Sequence, residues 1–281
     1  MIDAYRRRKV TDLLVRGACV LAAVMAVIPL GSVLFYVAER GISGLNWAFL
    51  SELPKPVGET GGGMANAIVG TLKLVGLACV FGIPPGVLAG VYLAEFGHSR
   101  FGGVVRFCAD VMSGVPSITV GIFVYSLIVL TTKHFSAWAG GVALAVLMLP
   151  TVTRTTEELL KLVPESLREA ALGLGVPKWR ATLRVMLRTA APGIATGVML
   201  AVARVAGETA PLLFTAFNNR FWSNGVDEPT ASLPVNIYTY AVSPYEDWHA
   251  QAWAAALVLL IMVLLLNISA RLLVRNRVGA R

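Results

Sequence analysis

Residues 164–192, PESLREAALGLGVPKWRATLRVMLRTAAP, make up the longest polar and basic segment between strongly apolar ones, and their reading decides how the rest of the chain is laid out. The first part predicts a short helix with a stop. Pro164 suits the first helical position, Glu165 and Glu169 favour the positive helix N-terminus, and Gly175 followed by Pro177 ends the run. Leu167, Ala170, Ala171 and Leu174 then share one face, a narrow, small-sided stripe suited to helix-in-groove docking on a partner. A second helical pattern starts near Trp179. Arg180, Arg184 and Arg188 lie on one side of it and Trp179, Leu183 and Met186 near the other, as in an amphipathic helix at a membrane surface. An ordinary cytoplasmic loop, basic because such loops are basic, accounts for the same residues, and both readings stand at this point.

The segments around it are unusually apolar. Of 281 residues, 56% are hydrophobic and 14% charged, with a mean hydropathy of +0.71. Soluble domains average roughly 25% charged residues, so the chain is an integral membrane protein. Its formal net charge of +8 sits beside apolar spans and not in a continuous tract, which points to the positive-inside rule and away from nucleic acid. Cys19, Cys79 and Cys108 offer neither a disulfide framework nor zinc spacing. Arg6, Arg7, Arg8 and Lys9 precede an apolar stretch that is long enough to span and has no small-residue cleavage site, so it is expected to be a retained helix.

Taken in order, the chain predicts an all-α, polytopic membrane protein with six transmembrane helices and a cytoplasmic coupling helix. An N-terminal tail over 1–12 is followed by a membrane domain over 13–274 and a C-terminal tail over 275–281. The spans are expected at about 13–37, 66–93, 111–131, 136–156, 190–214 and 252–273, with the coupling loop at 157–189. Ser113-Gly114-Val115-Pro116-Ser117 is a turn-rich entry that bends or interrupts the third. A Gly- and Pro-punctuated segment from Glu39 to Ala65 and an acidic one from Ala216 to His249 read as external loops. The arginines at both termini, the Arg100 to Arg106 loop and the opening stretch all fall on the other side, so one orientation, with both termini cytoplasmic, satisfies every loop.

No G-x-x-x-x-G-K-[ST] phosphate loop, metal cluster or nucleophile-and-base arrangement occurs, so any ATP-driven work needs another subunit. The charges that matter lie in the fifth span. Arg204 and Glu208, in AVARVAGETAPLL, are four apart, as on one helical face, and an unpaired charge at mid-bilayer costs ~2.5 to 3.5 kcal/mol on insertion scales. They read either as a mutually neutralising pair or as part of a polar pathway. Gly207 and Pro211 predict a bend beside them. Arg154 lies among threonines toward the inner end of the fourth span, where it either snorkels to the headgroups or attracts an anion; Lys73, in the second, is expected to snorkel outward.

Two sets of motifs add a resemblance. Glu169-Ala170-Ala171, three residues, then Gly175 resembles the coupling-loop signature of importer-type ABC transporter permeases, with Arg188 where that pattern has a proline. Gly207-Glu208-Thr209-Ala210-Pro211-Leu212-Leu213, then Phe221-Trp222, Leu233-Pro234, Ser243-Pro244-Tyr245 and Trp248, is similar to the PstA family of phosphate transporter permeases from about Gly61 to the end of the sixth span. The resemblance implies a permease of the bacterial inner membrane, half of a heterodimer with a PstC-like permease, above a PstB-like ATPase dimer that carries ATP and Mg and below a PstS-like phosphate-binding protein. It implies no cofactor on this chain itself. Arg204, Glu208 and Arg154 become candidate pathway residues; Glu165, Leu167, Glu169, Ala170, Ala171, Leu174 and Gly175 become candidate contacts to the ATPase. The alternatives are an importer permease for another oxyanion, such as a phosphonate, and a self-sufficient secondary transporter in which Arg204 and Glu208 relay an ion or proton.

Overall fold

A computed structural model describes residues 2–59 and 61–279, with side chains for all of these except 2–4, 6 and 273–279. The side chains of Arg6, Arg275 and Arg277, and the whole of Arg281, counted above among the inner charges, lie outside the described residues. The described chain is all-α. In order it forms α1 (Ile2–Gly44), α2 (Trp47–Ser51), α3 (Ala65–Phe96) and α4 (Arg100–Gly114). Next comes α5 (Ser117–Val124), which runs through a wide π turn (Tyr125–Val129) into α6 (Leu130–Thr132). After α7 (Ala137–Lys161) and α8 (Glu165–Gly173), α9 (Lys178–Ala181) passes through a second π turn (Thr182–Met186) into α10 (Leu187–Ala206). The chain closes with α11 (Ala210–Thr215), α12 (Leu233–Ala241) and α13 (Glu246–Gly279). Among the described residues, 5 helices are long and apolar enough to cross a membrane, or up to 6 when the bent pair Arg100–Gly114 and Ser117–Thr132 counts as one crossing.

The centre of the bundle is the α3 and α7 pair, and small residues explain why these two lie so close. Gly82, Gly86 and Gly90 recur every four residues on α3. A Cβ on Gly86 would meet the Val152 side chain at 2.9 Å, and one on Gly90 would meet Thr156 at 2.5 Å. In lipid, where apolar burial gives helices no net drive to associate, close backbone approach supplies packing instead. Leu74, Ala78, Leu144, Met148 and Val152 fill the space alongside, joined by Ala201 and Val205 from α10 and Leu212 from α11. By contrast, the apolar span of α1 buries nothing, and its end meets α13 at Gly41 and Gly44, against the Trp253 and Ala250 carbonyls.

Three expectations change. The third span is not a single helix over 111–131. Pro116 forces Val115 into an extended conformation (φ −72°, ψ 130°), and the two arms meet at 107°. The second arm, Ser117–Thr132, is left as a short crossing of roughly 24 Å. The fifth span does not begin at 190. One apolar helix runs from Lys178 to Ala206, so the basic stripe is its foot and not a separate surface helix, and Arg188 lets it pass where a proline would have interfered.

The acidic segment, expected to be an external loop throughout, contains α12. Leu233, Val235, Asn236 and Tyr240 of this helix are buried. Its first amide, Leu233 N–H, donates to the Thr71 hydroxyl of α3 at 2.8 Å, while Gly70 leaves room for the Ala231 carbonyl. Ser232 followed by Pro234 is a helix-start signal that was available in the sequence.

Candidate functional site

Charges gather at one end of the bundle around two buried carboxylates. Glu157, near the end of α7, has a side chain only 1% exposed. It accepts from Arg106 of α4 at 2.6 Å, from Arg154 one turn earlier at 3.0 Å, and from Lys161 one turn later. Arg154 also pairs with Asp110 of α4 at 2.9 Å. Where the threonines around it left Arg154 either to snorkel or to attract an anion, both edges of its guanidinium are occupied here by carboxylates of its own chain. This cluster ties α4 to α7 just ahead of the sharp turn at Pro116.

The second carboxylate, Glu95, lies near the end of α3 with a side chain 5% exposed. Arg168 of α8 donates to both of its oxygens, at 2.6 and 3.1 Å, and Thr182 approaches at 3.2 Å. Neither Glu95 nor Glu157 stood out as a functional residue from the sequence. The i, i+4 spacing of Glu157 and Lys161 was a readable signal. The partner of Glu95 is 73 positions away, and no local pattern announces it.

The coupling segment takes the expected shape. Helix α8 starts after Pro164 and stops at Gly175, which adopts a left-handed conformation (φ +76°). The Val176 amide then reaches back to the Ala171 carbonyl at 3.1 Å and the Gly175 amide to Leu172 at 2.9 Å, satisfying carbonyls that the helix end would leave open. Glu165, Leu167, Glu169, Ala170 and Leu174 are exposed, Leu174 at 84%. Ala171 departs from the predicted stripe: it is 7% exposed and packs on the chain's own body. Arg180, Arg184 and Arg188 are exposed along the foot of the long helix, Arg180 with its guanidinium 5.1 Å from the Trp179 ring centroid.

At the far end of that helix, Arg204 occupies the last turn of α10. Gly207 ends the helix, its amide and that of Glu208 closing onto the Arg204 and Val205 carbonyls at 3.2 Å each. Helix α11 then begins at Ala210 with Pro211 in its first turn, packed so closely on α5 that a Cβ on Gly121 would lie 2.6 Å from the Pro211 Cα. The predicted bend at Gly207 and Pro211 is thus a break, and it separates the two charges. Arg204 and Glu208 do not share a continuous helical face, and no ion pair joins them among the described residues. Arg204 is exposed, and Glu208 is half-buried.

The opposite end is organised by polar contacts to backbone. Lys73 does not snorkel; its ammonium donates to the Ser223 carbonyl at 2.7 Å and the Gly225 carbonyl at 3.0 Å. Asn66 donates to the Asn219 carbonyl at 2.7 Å, so the segment before α12 is tied to the head of α3 at two points.

Comparison with known proteins agrees with this architecture. The family described as "Binding-protein-dependent transport system inner membrane component" matches residues 86–278. A phosphate transport system permease protein PstA from Yersinia pestis is 50% identical over 242 residues, covering 86% of this chain and 82% of that protein. The Haemophilus influenzae protein of the same name is 46% identical over 272 residues, 96% of each chain. PstA 1 of Mycobacterium tuberculosis is 38% identical over 275 residues, covering 95% of this chain and 88% of that protein. Among solved structures, the inward-facing MetNI methionine ABC transporter superposes with a TM-score of 0.58 at 19% identity, over 75% of this chain and 93% of that one, a likeness of fold. The chain therefore belongs to the family of binding-protein-dependent transport system inner membrane components: it is a multi-pass, non-catalytic permease subunit of the inner membrane that works with an ATPase and a binding protein.

Proposed function

We propose that this chain forms half of the translocation pathway of an ATP-driven inorganic phosphate importer, as the names of its close relatives indicate for those proteins. Its partners in this reading are a PstC-like permease, a PstB-like ATPase dimer that binds ATP and Mg, and a PstS-like binding protein, with both termini of the chain cytoplasmic. The observation that carries the proposal is Arg204, an exposed guanidinium on an apolar crossing helix that forms no ion pair among the described residues. Facing lipid, such a group is costly; facing a polar path it is useful, because a guanidinium fork matches the oxygens of a phosphate ion. Glu208, just past the helix break, repels the same ion and keeps its residence short. Arg154, with its fork already filled, holds α4 in place and leaves anion binding to Arg204.

The exposed side of α8, from Glu165 through Leu167, Glu169 and Ala170 to Leu174 and Gly175, is the surface we assign to the ATPase, and Arg180, Arg184 and Arg188 hold the foot of α10 to the headgroups. In the complete complex reconstituted in vesicles, binding protein included, Arg204→Gln should lower phosphate uptake by about 10- to 100-fold, the loss of one charge-assisted contact, with normal assembly. Uptake unchanged by that substitution would sink the pathway role. Glu169→Arg should separate ATP hydrolysis from phosphate; coupling left intact would remove α8 from the transmission. A phosphonate importer shares this coupling and is told apart by offering a phosphonate in the same assay. The secondary-transporter alternative loses its basis in a family that depends on binding proteins, and uptake by this chain alone in vesicles would be needed to restore it.

A further inference from the structure

Three elements converge on the Glu95 carboxylate, a group 5% exposed at the end of α3. Arg168 brings α8 to it through a two-point fork, with Nη2 donating to Oε1 at 2.6 Å and Nη1 to Oε2 at 3.1 Å. The Thr182 hydroxyl, at the first residue of the π turn below α10, lies 3.2 Å from Oε1 and 3.0 Å from the Lys178 carbonyl, so its proton is shared between them. Lys178 itself, opening α9, places Nζ 3.9 Å from Oε2 and 5.2 Å from the centre of the Phe96 ring. Helix α8 has little else to hold it. Among the described residues, Ala171 is the one side chain it buries. A guanidinium fork fixes orientation as well as distance, which a single small apolar contact cannot do.

We infer that Glu95 is the positioning residue through which a displacement of α8 enters the bundle. The inference rests on the reading of α8 as the ATPase contact and adds the route beyond it. Chain order alone would pass the push to α7 and α10, which flank α8 in the sequence. The ion pair instead delivers it first to α3, and the close mesh of Gly82, Gly86 and Gly90 with α7 makes those two helices travel together. The π turn at Thr182–Met186, pinned at its first residue to the same carboxylate, is where α10 bends relative to them.

The test uses the complete reconstituted complex and reads phosphate moved per ATP hydrolysed, together with the amount of assembled complex. Glu95→Gln keeps the shape of the side chain and removes its charge. It should lower phosphate moved per ATP at least tenfold in complexes that assemble, Glu95→Asp should restore part of the coupling, and Arg168→Gln should reproduce the loss. The double variant should be no worse than either single one, because both remove the same link. Coupling per ATP that stays at the wild-type value in Glu95→Gln overturns the inference, whatever the yield. Should that variant fail to assemble, Arg168→Gln, altering the partly exposed partner, decides alone by the same ratio. A wild-type complex whose ATP hydrolysis ignores phosphate would count against the transport reading, whereas a coupled wild type with equally coupled variants counts against Glu95 only.

Discussion

The two ends of the long basic helix treat charge in opposite ways. At its foot, and at the neighbouring ends of α3 and α7, every buried carboxylate is surrounded: Glu157 by Arg106, Arg154 and Lys161, and Glu95 by Arg168 and Lys178. At its head, Arg204 and Glu208 are within a few residues of each other and form no ion pair among the described residues. Saturated charges fix geometry, because moving any one leaves another uncompensated in a poor solvent. On the proposed reading, the unpaired charges at the head are the ones that meet a passing ion. The contrast then gives architecture to one set and chemistry to the other, and substitutions can break it.

The largest expected effect on stability is at Glu157. Glu157→Gln leaves three cations without their shared anion and should destabilise the chain by about 3 kcal/mol, read as a lower thermal midpoint of the purified complex. Arg154→Gln should be milder, about 1 kcal/mol, because Glu157 keeps Arg106 and Lys161 and the lost partner Asp110 is half exposed. If transport in that variant falls far more than its stability, Arg154 crosses over to the chemical set. Lys73→Met should cost about 1 kcal/mol and show as faster amide exchange in the segment between α11 and α12, with the end around Glu95 and Glu157 unaffected. Smallest is Arg204→Gln, expected to shift stability by less than about 0.5 kcal/mol. A large loss of stability there would mean that Arg204 is structural and would erase the distinction.

Much of this architecture was legible from local patterns. Pro164, Gly175 and Pro177 bound α8 through backbone preferences that belong to single residues, and Gly207 with Pro211 marked the interruption below α11. The same two residues carry more than a bend: a glycine capable of ending a helix and a proline suited to starting one predict a break, and a break separates Arg204 from Glu208. Helix α12 is harder to read in spite of its start signal at Ser232 and Pro234. Its surroundings are polar and acidic, and its burial is achieved by docking on Thr71 and Gly70, some 160 positions earlier in the chain. Long-range partners are also why Glu95 and Lys73 looked ordinary. A buried carboxylate and a surface one are spelled alike, and only the folded neighbours of Arg168 and Ser223 tell them apart.

The run from Lys178 to Ala206 joins the basic foot to the exposed arginine through the π turn at Thr182–Met186, with α10, which carries Pro192, as the arm above it. At 1.5 Å per residue, Arg204 stands about 30 Å beyond the π turn. A tilt of only about 5° around that turn therefore sweeps the guanidinium sideways by about 2.6 Å, close to the length of a hydrogen bond. On the proposed reading, gripping and releasing an ion at the head is geared to a rocking at the π turn, and Ala201 and Val205, which move with the arginine, oblige the core along α3 and α7 to follow.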